Sequence, residues 1–475
     1  MKILFVYPNH IGDRRIRLGI GYLSSYLKKY SHKTELLDLT FGYDQKGCFK
    51  KIRSFKPDLI AFSVLSTEFD FSIQVAKDMK ENCDVPIVFG GIHPTIAPEE
   101  TIENKSIDMV CIGEGEYTLL ELVEKMEDGR NVKKILGLWI KEKGMIFKNR
   151  MRPLETDLDK LPFPDREIFD RRQFIKDSGS PFLTSRGCPY QCSYCCNHIL
   201  QKIYNSKNYV RFRSIDNVIE EIKFVQKKYR ITSVYITDDT FTLKKERVLE
   251  FCKKYQDEIG LPFKCQTNPS SIDMETMTIL KDAGCVEVEM GIESGNDRIR
   301  NKIMNRHFTK QQLISAFSSA RNAGLKTYSF NILGVPNETR STMMETINLN
   351  RRCKVDISQS TIFYPFPHTR LWEISKKFIT GRKTISYYSD SILDLPTIKR
   401  KELVALQRTF QMYVKLPRQL WFVPFALEKI IRYSPERMND FYRNLLSMTN
   451  FVLFSPERER IFGKIGNKLL EGLRV

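Results

Sequence analysis

The sequence predicts an α/β protein: an N-terminal doubly wound parallel sheet, a second parallel sheet arranged as a partial (βα)6 TIM-like barrel, and a helical C-terminal region. Short apolar runs alternate with helical patterns over residues 1–126 and again over 181–378. From residue 379 the pattern changes to helices rich in aromatic and basic side chains. Strands that alternate with helices imply parallel sheets, which bind ligands at the carboxyl ends of their strands.

Composition narrows the class of protein. The chain has 475 residues, 41% of them hydrophobic and 28% charged, as expected of a globular protein with two or three domains. Eleven cysteines, an odd number, and the lack of an export signal argue against disulfides and favour a cytoplasmic protein. No run approaches the roughly 20 apolar residues that span a bilayer. The formal charge of +19 is compatible with binding to nucleic acid or anionic lipid, or with an ordinary solvated basic surface. We favour the last because no arginine-rich block stands out.

The first predicted domain, residues 1–126, alternates strands with helices in the order that a Rossmann-like sheet requires. Strands are predicted at 2–7, 34–38, 59–64, 87–89 and 109–112, and helices include 19–29, 72–81 and 117–126. Residues 127–180 are predicted to form a linker. It contains a hairpin, 136–147, that turns at Lys143-Gly144, and a proline-rich stretch, 161–165, that favours an extended path.

The second predicted domain, residues 181–378, contains six strand–helix units, which is the basis for the partial barrel. Residues 379–475 are predicted to form a helical cap or lid. Segments 416–424 and 441–446 suggest three alternatives: contact with a membrane surface, a cover over a hydrophobic substrate, or an ordinary packed cap. The predicted elements of the barrel are strands at 181–185, 232–237, 262–267, 285–291, 326–333 and 355–363, and helices at 214–229, 244–259, 272–283, 309–323, 338–352 and 369–378.

Three cysteines follow the first strand of this domain in a Cys-x3-Cys-x2-Cys run: Cys188, Cys192 and Cys195. Thiolates select zinc, copper(I) or iron–sulfur clusters. A four-iron cluster usually takes four cysteines, so three would leave one iron open to a substrate. The alternatives are a Cys3His zinc site that includes His198 and a set of inert buried thiols. Zinc ligands are usually spaced as two separated pairs, so we favour the cluster. We do not count Cys196 as a fourth ligand.

The cysteine run, with aromatic Tyr194 just before its last cysteine, resembles the signature of the radical SAM superfamily, and specifically its cobalamin-binding branch of methyltransferase-like enzymes. Three further motifs at predicted strand ends are similar to that superfamily, so the resemblance extends over most of residues 1–375. These motifs are 235–241, 288–295 and 330–338. Asp238 and Asp239, in the first of them, either face the cavity or, for Asp239, cap the following helix.

The resemblance implies that the three cysteines hold a [4Fe–4S] cluster whose open iron is chelated by S-adenosylmethionine (SAM). Tyr194 is included with the SAM-binding residues. Glu293 and Ser294 would approach the methionine and ribose parts. The backbone around Ile332 and Gly334 would line the adenine. Arg306 would pair with the SAM carboxylate, since a guanidinium suits bidentate contact. A helix-terminal salt bridge is the alternative for Glu293 and Arg306.

The first domain resembles a cobalamin-binding fold, whose pattern is Asp-x-His-x-x-Gly, then Ser-x-Leu, then Gly-Gly. The second and third parts match at 63–65 and 90–91, and 91–95 and 112–116 also look like this branch. The first part departs from the pattern, since Pro8, His10 and Asp13 stand there, so we expect cobalamin to bind without a protein histidine. The candidate cobalamin contacts are Ser63, Leu65, Gly90, Gly91, His93, Gly113 and Glu114.

The activity that the resemblance implies is radical methylation. An electron from the cluster would split the SAM carbon–sulfur bond, the 5′-deoxyadenosyl radical would take a hydrogen atom from an unactivated carbon, and cobalamin would supply the methyl group. The substrate would be a small, hydrophobic or lipid-like metabolite, and the electron donor a protein of flavodoxin or ferredoxin type. No oligomeric state is predicted.

Three other functions compete with methylation. The first is a cobalamin-dependent radical SAM cyclase or rearranging enzyme, which uses the same cofactors. The second is a tRNA methylthiotransferase, in which Cys48, Cys83 and Cys111 would supply a second cluster. The third is a non-catalytic zinc protein that binds nucleic acid. We expect no nucleic-acid partner, because the Ser-x-Leu and Gly-Gly pair fits cobalamin better and the C-terminal region reads as helical.

Overall fold

The structure, a computed structural model, describes residues 1–10, 15–170, 173, 179–381 and 386–433. The first sheet is built from seven strands. They are β1 (Lys2–Tyr7), β2 (Lys33–Asp38), β3 (Leu59–Ser63), β4 (Ile87–Gly90), β5 (Met109–Cys111), β6 (Leu138–Glu142) and β7 (Met145–Lys148). Their spatial order is β2-β1-β3-β4-β5-β6-β7, and the first five are parallel to one another.

Helices cover both faces of this sheet, as in a doubly wound fold. They are α1 (Leu18–Lys29), α2 (Gln45–Phe55), α3 (Phe69–Lys80), α4 (Ile92–Ile96), α5 (Pro98–Glu103) and α6 (Glu116–Glu127). One core contains apolar side chains of α1 and α6, and the opposite core those of α2 and α3. Ile3 and Phe5 of β1 point into the first core, and Leu4 and Val6 into the second. Burial on both faces explains why this strand is a continuous apolar run.

The predicted hairpin is present, but it belongs to the first sheet. β6 pairs antiparallel with β5, and β7 pairs with β6. The turn residues Lys143 and Gly144 have φ of 49° and 77°, the left-handed values that tight hairpin turns require. Trp139 and Ile140 are buried. The segment predicted as a linker thus completes the sheet by covering the edge of β5.

The second half of the chain begins with a strand, a short ribbon and a helix that the sequence analysis did not separate. These elements are β8 (Ser180–Phe182), β9 (Ser185–Arg186), β10 (Arg211–Phe212) and α7 (Cys196–Tyr204). β9 and β10 pair antiparallel. The single strand predicted at 181–185 is therefore divided, because Thr184 and Ser185 turn away to bind the buried Asp238.

The second sheet has six parallel strands in the order that a partial barrel requires. Besides β8 they are β11 (Val234–Ile236), β12 (Phe263–Thr267), β13 (Cys285–Glu293), β14 (Lys326–Leu333) and β15 (Ile357–Ile362). The helices are α8 (Ile215–Tyr229), α9 (Lys245–Glu258), α10 (Met274–Asp282), α11 (Lys310–Asn322), α12 (Arg340–Cys353) and α13 (Arg370–Ser375). The predicted fold class is confirmed.

Two further helices pack on the end of this sheet. α14 (Arg400–Lys415) contributes Leu403, Leu406 and Phe410 to a core that also contains β14 and β15. α15 (Phe422–Tyr433) packs on α14 through Ile431. The predicted helical segment 441–446 lies outside the described residues. Among the residues that the structure describes, no helix has the length and apolar character needed to cross a membrane.

Candidate cofactor sites

The cysteine loop, residues 187–195, joins β9 to α7 just beyond the carboxyl end of β8. The Gln201 side-chain amide, on α7, donates to the carbonyl oxygen of Cys188 (2.5 Å). On the other side, the Ser193 hydroxyl donates to the carbonyl oxygen of Ile303 (2.6 Å). The loop is therefore anchored both to α7 and to the segment that follows β13. This arrangement places its thiols where the sequence analysis expected a site.

The three thiols have different surroundings. Burial raises the pKa of Cys188 to about 12 and also raises the pKa of Cys192. The pKa of Cys195 is lowered, chiefly because the neighbouring Cys196 thiol donates a hydrogen bond to it. The Asn197 side-chain amide also points at Cys195 Sγ, at 3.7 Å. Since metals bind thiolates, loading a metal here must release protons, and these donors favour the charged sulfur.

His198 does not complete a zinc site with these cysteines. Its Nδ1 lies 2.6 Å from the carbonyl oxygen of Cys195, and its Nε2 accepts from the backbone N–H of Arg370 (3.4 Å). Within the described part of the chain, no three His, Cys, Asp or Glu side chains are close enough to share one ion. A four-iron cluster instead binds each cysteine through a different iron atom. The donor set fits an iron–sulfur cluster better than a single zinc ion.

A buried polar group surrounds Cys192. The Arg306 Nη1 lies 3.8 Å from Cys192 Sγ, and its Nη2 donates to the carbonyl oxygen of Gly291 (2.8 Å). Burial raises the pKa of Glu293, and Arg306 and the Tyr194 hydroxyl oppose that rise. Arg306 thus links the cysteine loop to β13, which is a different role from a helix-terminal salt bridge.

Glu293 reaches this group through an irregularity in its strand. The register of β13 against β14 shifts between Gly291 and Glu293, and Glu293 has a φ of 62°. A bulge redirects the side chains that follow it, and non-glycine residues with such strain cluster at functional sites. A Cβ at Gly291 would overlap the Glu293 carboxylate. The sequence motif pointed to Glu293 but gave no sign of the bulge.

The turn after β14 contains a residue whose role the sequence analysis missed. The carboxylate of Glu338, fully buried, accepts hydrogen bonds from the backbone N–H groups of Gly334 (2.8 Å) and Val335 (3.2 Å). It therefore fixes the backbone that was predicted, with Ile332, to line an adenine. The sequence did contain a signal for this role, because Glu338 is the only carboxylate in the motif 330–338 and follows Gly334 by four residues. Ser294, also fully buried, lies in the segment after β13.

The two aspartates after β11 have separate roles. Asp238 is buried and accepts from the backbone N–H of Thr184 (2.7 Å) and the hydroxyls of Thr184 and Ser185 (2.6 Å each). It holds the chain that leads into the cysteine loop. Asp239 accepts from Asn197 (3.3 Å). α9 begins after Lys244 without a side-chain cap, so the predicted capping role of Asp239 is wrong.

A cavity of about 280 Å³ lies beside the carboxyl ends of β3, β4 and β5. Its lining is mainly apolar and includes five of the predicted cobalamin contacts, namely Ser63, Gly90, Gly91, Gly113 and Glu114. Leu65 and His93 are not part of the lining. The volume is slightly below the ~300–1,000 Å³ typical of small-molecule sites. The cavity therefore suits one portion of a large ligand such as cobalamin.

Two glycines shape this cavity because a side chain would not fit. Gly91 has a φ of 100°, and a Cβ there would lie 2.8 Å from the backbone nitrogen of Val64 and 2.9 Å from its carbonyl oxygen. Gly113 has a φ of 85°, and a Cβ there would lie 2.6 Å from the Tyr204 hydroxyl. Glycine alone combines these φ values with such close approach. The second glycine of the Gly-Gly motif thus has a steric cause in this chain.

The Ser63–Leu65 loop is held by an ion pair that the sequence analysis did not identify. Arg17 donates from Nη1 to the carbonyl oxygen of Ser63 (2.9 Å) and binds both carboxylate oxygens of Glu68 (3.0 and 2.7 Å). Glu68 also accepts from the backbone N–H of Leu65 (3.0 Å). A bidentate pair of this kind is strong and directional. It orients the backbone at the end of β3.

His93 and His10, two of the three histidines of the first domain, have different surroundings. His93 is buried, stacks on Phe69 with 3.9 Å between centroids, and has its pKa lowered to about 3 by burial. It is neutral near pH 7. The His10 Nδ1 lies 3.4 Å from the carbonyl oxygen of Pro8, and Asp13 lies outside the described residues. Binding of cobalamin without a protein histidine stays a prediction.

The cysteines proposed for a second cluster do not share one site. Cys48 lies in the core on one face of the first sheet, with Cys83 packed against the same core. Cys111 belongs to the core on the other face. A cluster requires its cysteines on one side of the sheet. This geometry argues against the methylthiotransferase alternative.

Comparison with known proteins agrees with both halves of the fold. Residues 9–123 match the family model described as B12 binding domain, and residues 182–349 match the Radical SAM superfamily. An uncharacterised methyltransferase from Pyrococcus horikoshii is 34% identical over 391 residues, which cover 78% of this chain and 83% of that protein.

Two other proteins are similar over most of their length. The anaerobic magnesium-protoporphyrin IX monomethyl ester cyclase of Rubrivivax gelatinosus is 26% identical over 397 residues, covering 78% of this chain and 70% of the cyclase. A solved structure of TsrM, a radical S-adenosylmethionine methyltransferase from Kitasatospora setae with cobalamin and a [4Fe–4S] cluster bound, superposes with a TM-score of 0.66. It is 19% identical, and the match covers 81% of this chain and 76% of TsrM. The chain belongs to the radical SAM superfamily, in the group whose members carry a B12-binding domain before the radical SAM domain.

Proposed function

We propose that this protein is a cobalamin-dependent radical SAM methyltransferase that acts on an unactivated carbon of a small molecule. The observation that carries the proposal is the pairing of two sites in one fold. A loop with three anchored cysteines lies at the end of the parallel barrel, and a glycine-shaped cavity lies at the end of the adjoining doubly wound sheet. Family membership makes these the expected places for an iron–sulfur cluster and cobalamin.

In this proposal Cys188, Cys192 and Cys195 hold a [4Fe–4S] cluster and leave one iron open for SAM. Arg306, which already contacts Cys192 and β13, has a buried Nε with no hydrogen-bond partner among the described residues. That donor and the Glu293 carboxylate suit the charged carboxylate and amino groups of SAM. Glu338 holds the turn at Gly334 that would support the adenine, next to Ile332.

Cobalamin would insert one portion into the cavity, with Gly90, Gly91 and Gly113 allowing close approach of the backbone. When bound, the cluster with SAM supplies a carbon-centred radical and cobalamin supplies a transferable methyl group. The chain itself binds, orients and encloses these groups. A neutral His93 near the Ser63–Leu65 loop adds no charge there. A flavodoxin- or ferredoxin-type donor would supply electrons.

The test is anaerobic reconstitution of the full chain with iron, sulfide and hydroxocobalamin, followed by spectroscopy and product analysis. We expect iron–sulfur and corrinoid absorbance together, and formation of 5′-deoxyadenosine from SAM under reducing conditions. A substrate found by screening should gain one methyl group. Protein that binds zinc but no iron, or that binds no corrinoid, would refute the proposal.

Ring closure is a second candidate, favoured by the similarity to the cyclase of Rubrivivax gelatinosus. Both reactions use the same cofactor sites, so the structure supports them equally. Product mass separates them, because cyclisation removes hydrogens and methylation adds a methyl group.

Contact with a lipid surface is a further part of the proposal. Phe422 is 65% exposed, Phe425 46% and Ile430 50%, on the same helix as Lys429. Exposed aromatic and basic side chains on one helix are typical of interfacial binding. Co-sedimentation with vesicles containing anionic lipid should decrease in Phe422→Ser/Phe425→Ser. Equal sedimentation of the wild type and the variant, or sedimentation of neither, would exclude this contact.

A further inference from the structure

The Gly-Glu-Gly-Glu segment after β5 makes contacts that its resemblance to a cobalamin motif does not explain. Glu114 accepts from Nη1 and Nη2 of Arg211 (2.9 and 2.7 Å) and from Nη1 of Arg186 (3.1 Å). Arg186 Nη2 donates to Glu116 (2.7 Å). These four side chains are called here the interdomain ion cluster, since the carboxylates belong to the first domain and the arginines to the β9–β10 ribbon of the second.

The ribbon depends on these carboxylates. Arg186 and Arg211 are directly opposite each other in the β9–β10 pair. Like charges at such a position repel and destabilise a ribbon. Glu114 binds both guanidinium groups, so a residue of one domain cancels the repulsion within the other. Arg211 and Glu116 are buried, and buried pairs are screened little by salt.

The same residues contact the entry to the cysteine loop and the helix that follows the loop. Arg186 lies just before Gly187 and Cys188, at the entry to the loop. At the last residue of α7, the helix that follows the loop, the Tyr204 hydroxyl accepts from the backbone N–H of Glu114 (2.8 Å). Arg186, Glu114 and Glu116 also line the cavity of the first domain. A ligand in that cavity therefore meets groups that contact both the entry to the loop and α7.

We propose that the interdomain ion cluster couples occupation of the cavity to the conformation of the cysteine loop. Glu114 and Glu116 are then positioning residues, and the carboxylate of Glu114 is a bridge between domains instead of a cobalamin ligand. This inference rests on the proposed function only in its choice of ligand. Coupling between two sites is carried by groups that contact both and have two arrangements.

The test is hydrogen–deuterium exchange of the full-length protein with and without hydroxocobalamin, followed over peptides that cover 183–195. The test variant is Glu114→Gln/Glu116→Gln, which keeps side-chain shape and removes both charges. The matched control is Glu428→Gln. The Glu428 carboxylate is also buried and held by Arg340 (2.8 Å), but it joins α15 to α12, and neither residue lines the cavity.

In the wild type and the Glu428→Gln control, hydroxocobalamin should slow exchange of the loop by about five-fold or more, at the lower end of typical coupling between sites. In the double variant hydroxocobalamin should still bind, as its absorbance shows, while that protection is lost. Equal protection in the double variant would overturn the proposal. So would loss of hydroxocobalamin binding, which would make the glutamates direct ligands.

Two alternative experiments apply if the double variant does not fold or if the wild type does not bind hydroxocobalamin. If the double variant does not fold, Arg186→Lys replaces it, because lysine keeps the charge but cannot bridge two carboxylates with a planar fork. If the wild type binds no hydroxocobalamin, the proposed function fails while the ion cluster is still tested without ligand. Loop exchange should then be faster in the variant than in the Glu428→Gln control, and equal exchange would overturn the proposal.

Discussion

The cysteine loop and the cavity of the first domain differ in the chemical groups that form them. At the cysteine loop the chemistry resides in side chains: the three thiols of the loop, and Arg306 and Glu293 beside them. In the cavity most of the wall is apolar or glycine backbone. Side-chain donors bind a small, reactive inorganic group, whereas a smooth glycine-rich wall accepts part of a large organic one. Substitutions should therefore act through lost ligation in the loop and through steric exclusion in the cavity.

The largest effect is expected from Cys188→Ala. Loss of one of three thiolates should abolish the cluster and all SAM cleavage, because no other cysteine in the loop is placed to replace it. Iron content and 5′-deoxyadenosine formation measure this. Cys196→Ala is the matched control and should retain iron. Full iron content in Cys188→Ala, or its loss in Cys196→Ala, would contradict the assignment of ligands.

The next effect is expected from Gly91→Ala in the cavity. The added Cβ would meet the backbone of Val64 at 2.8 Å, so the protein should lose hydroxocobalamin affinity and more than the ~1–3 kcal/mol of unfolding free energy that backbone strain alone costs. The control Gly129→Ala also has a positive φ, 64°, with nothing within 4 Å. It should lose about 1–2 kcal/mol and no affinity.

The free energy of unfolding is measured by urea unfolding, and the affinity for hydroxocobalamin by absorbance titration. Unchanged affinity in Gly91→Ala would show that the close approach of Gly91 to Val64 does not shape the ligand site. Equal losses in Gly91→Ala and Gly129→Ala would show that φ alone matters.

The smallest effect concerns the turn at the end of β14. Burial raises the pKa of Glu338 to about 8, against the opposing hydrogen bonds from Val335 and Gly334. Between the unfolded pKa near 4.5 and about 8, the folded protein holds a proton that the unfolded chain has lost. This contribution to stability is therefore complete at low pH and is lost as pH rises through the folded pKa.

Glu338→Gln removes the titrating group. The free energy of unfolding of the wild type, relative to the variant, should fall by at least about 1 kcal/mol from about pH 5 to about pH 8. Urea unfolding at several pH values measures the difference. A difference that stays constant, or that grows with pH, would show that the carboxylate is ionised in the folded protein.

Local patterns explain which parts of this structure were predictable. The alternation of apolar residues predicted β14 at 326–333, as observed, and the cysteine spacing predicted the loop because its donors are close in sequence. The split of the first barrel strand was missed because it depends on Asp238, which is far along the chain. The bulge at Glu293 depends on pairing with β14.

Contacts between domains were beyond the reach of local patterns. Glu114 was predicted to contact cobalamin from a motif, yet its carboxylate binds Arg186 and Arg211, and the pairing depends on how the two domains pack. The Arg17–Glu68 pair was missed for the same reason, since neither residue belongs to a recognised motif. Long-range ion pairs of this kind leave no periodic signal in the sequence.

The most direct measurement is electron paramagnetic resonance of the anaerobically reconstituted, reduced protein with and without SAM. We expect a [4Fe–4S] signal whose g-values shift when SAM is added, because SAM would bind the iron that lacks a cysteine. A signal that SAM leaves unchanged would mean that a fourth protein ligand closes the cluster, and it would contradict the proposed radical chemistry.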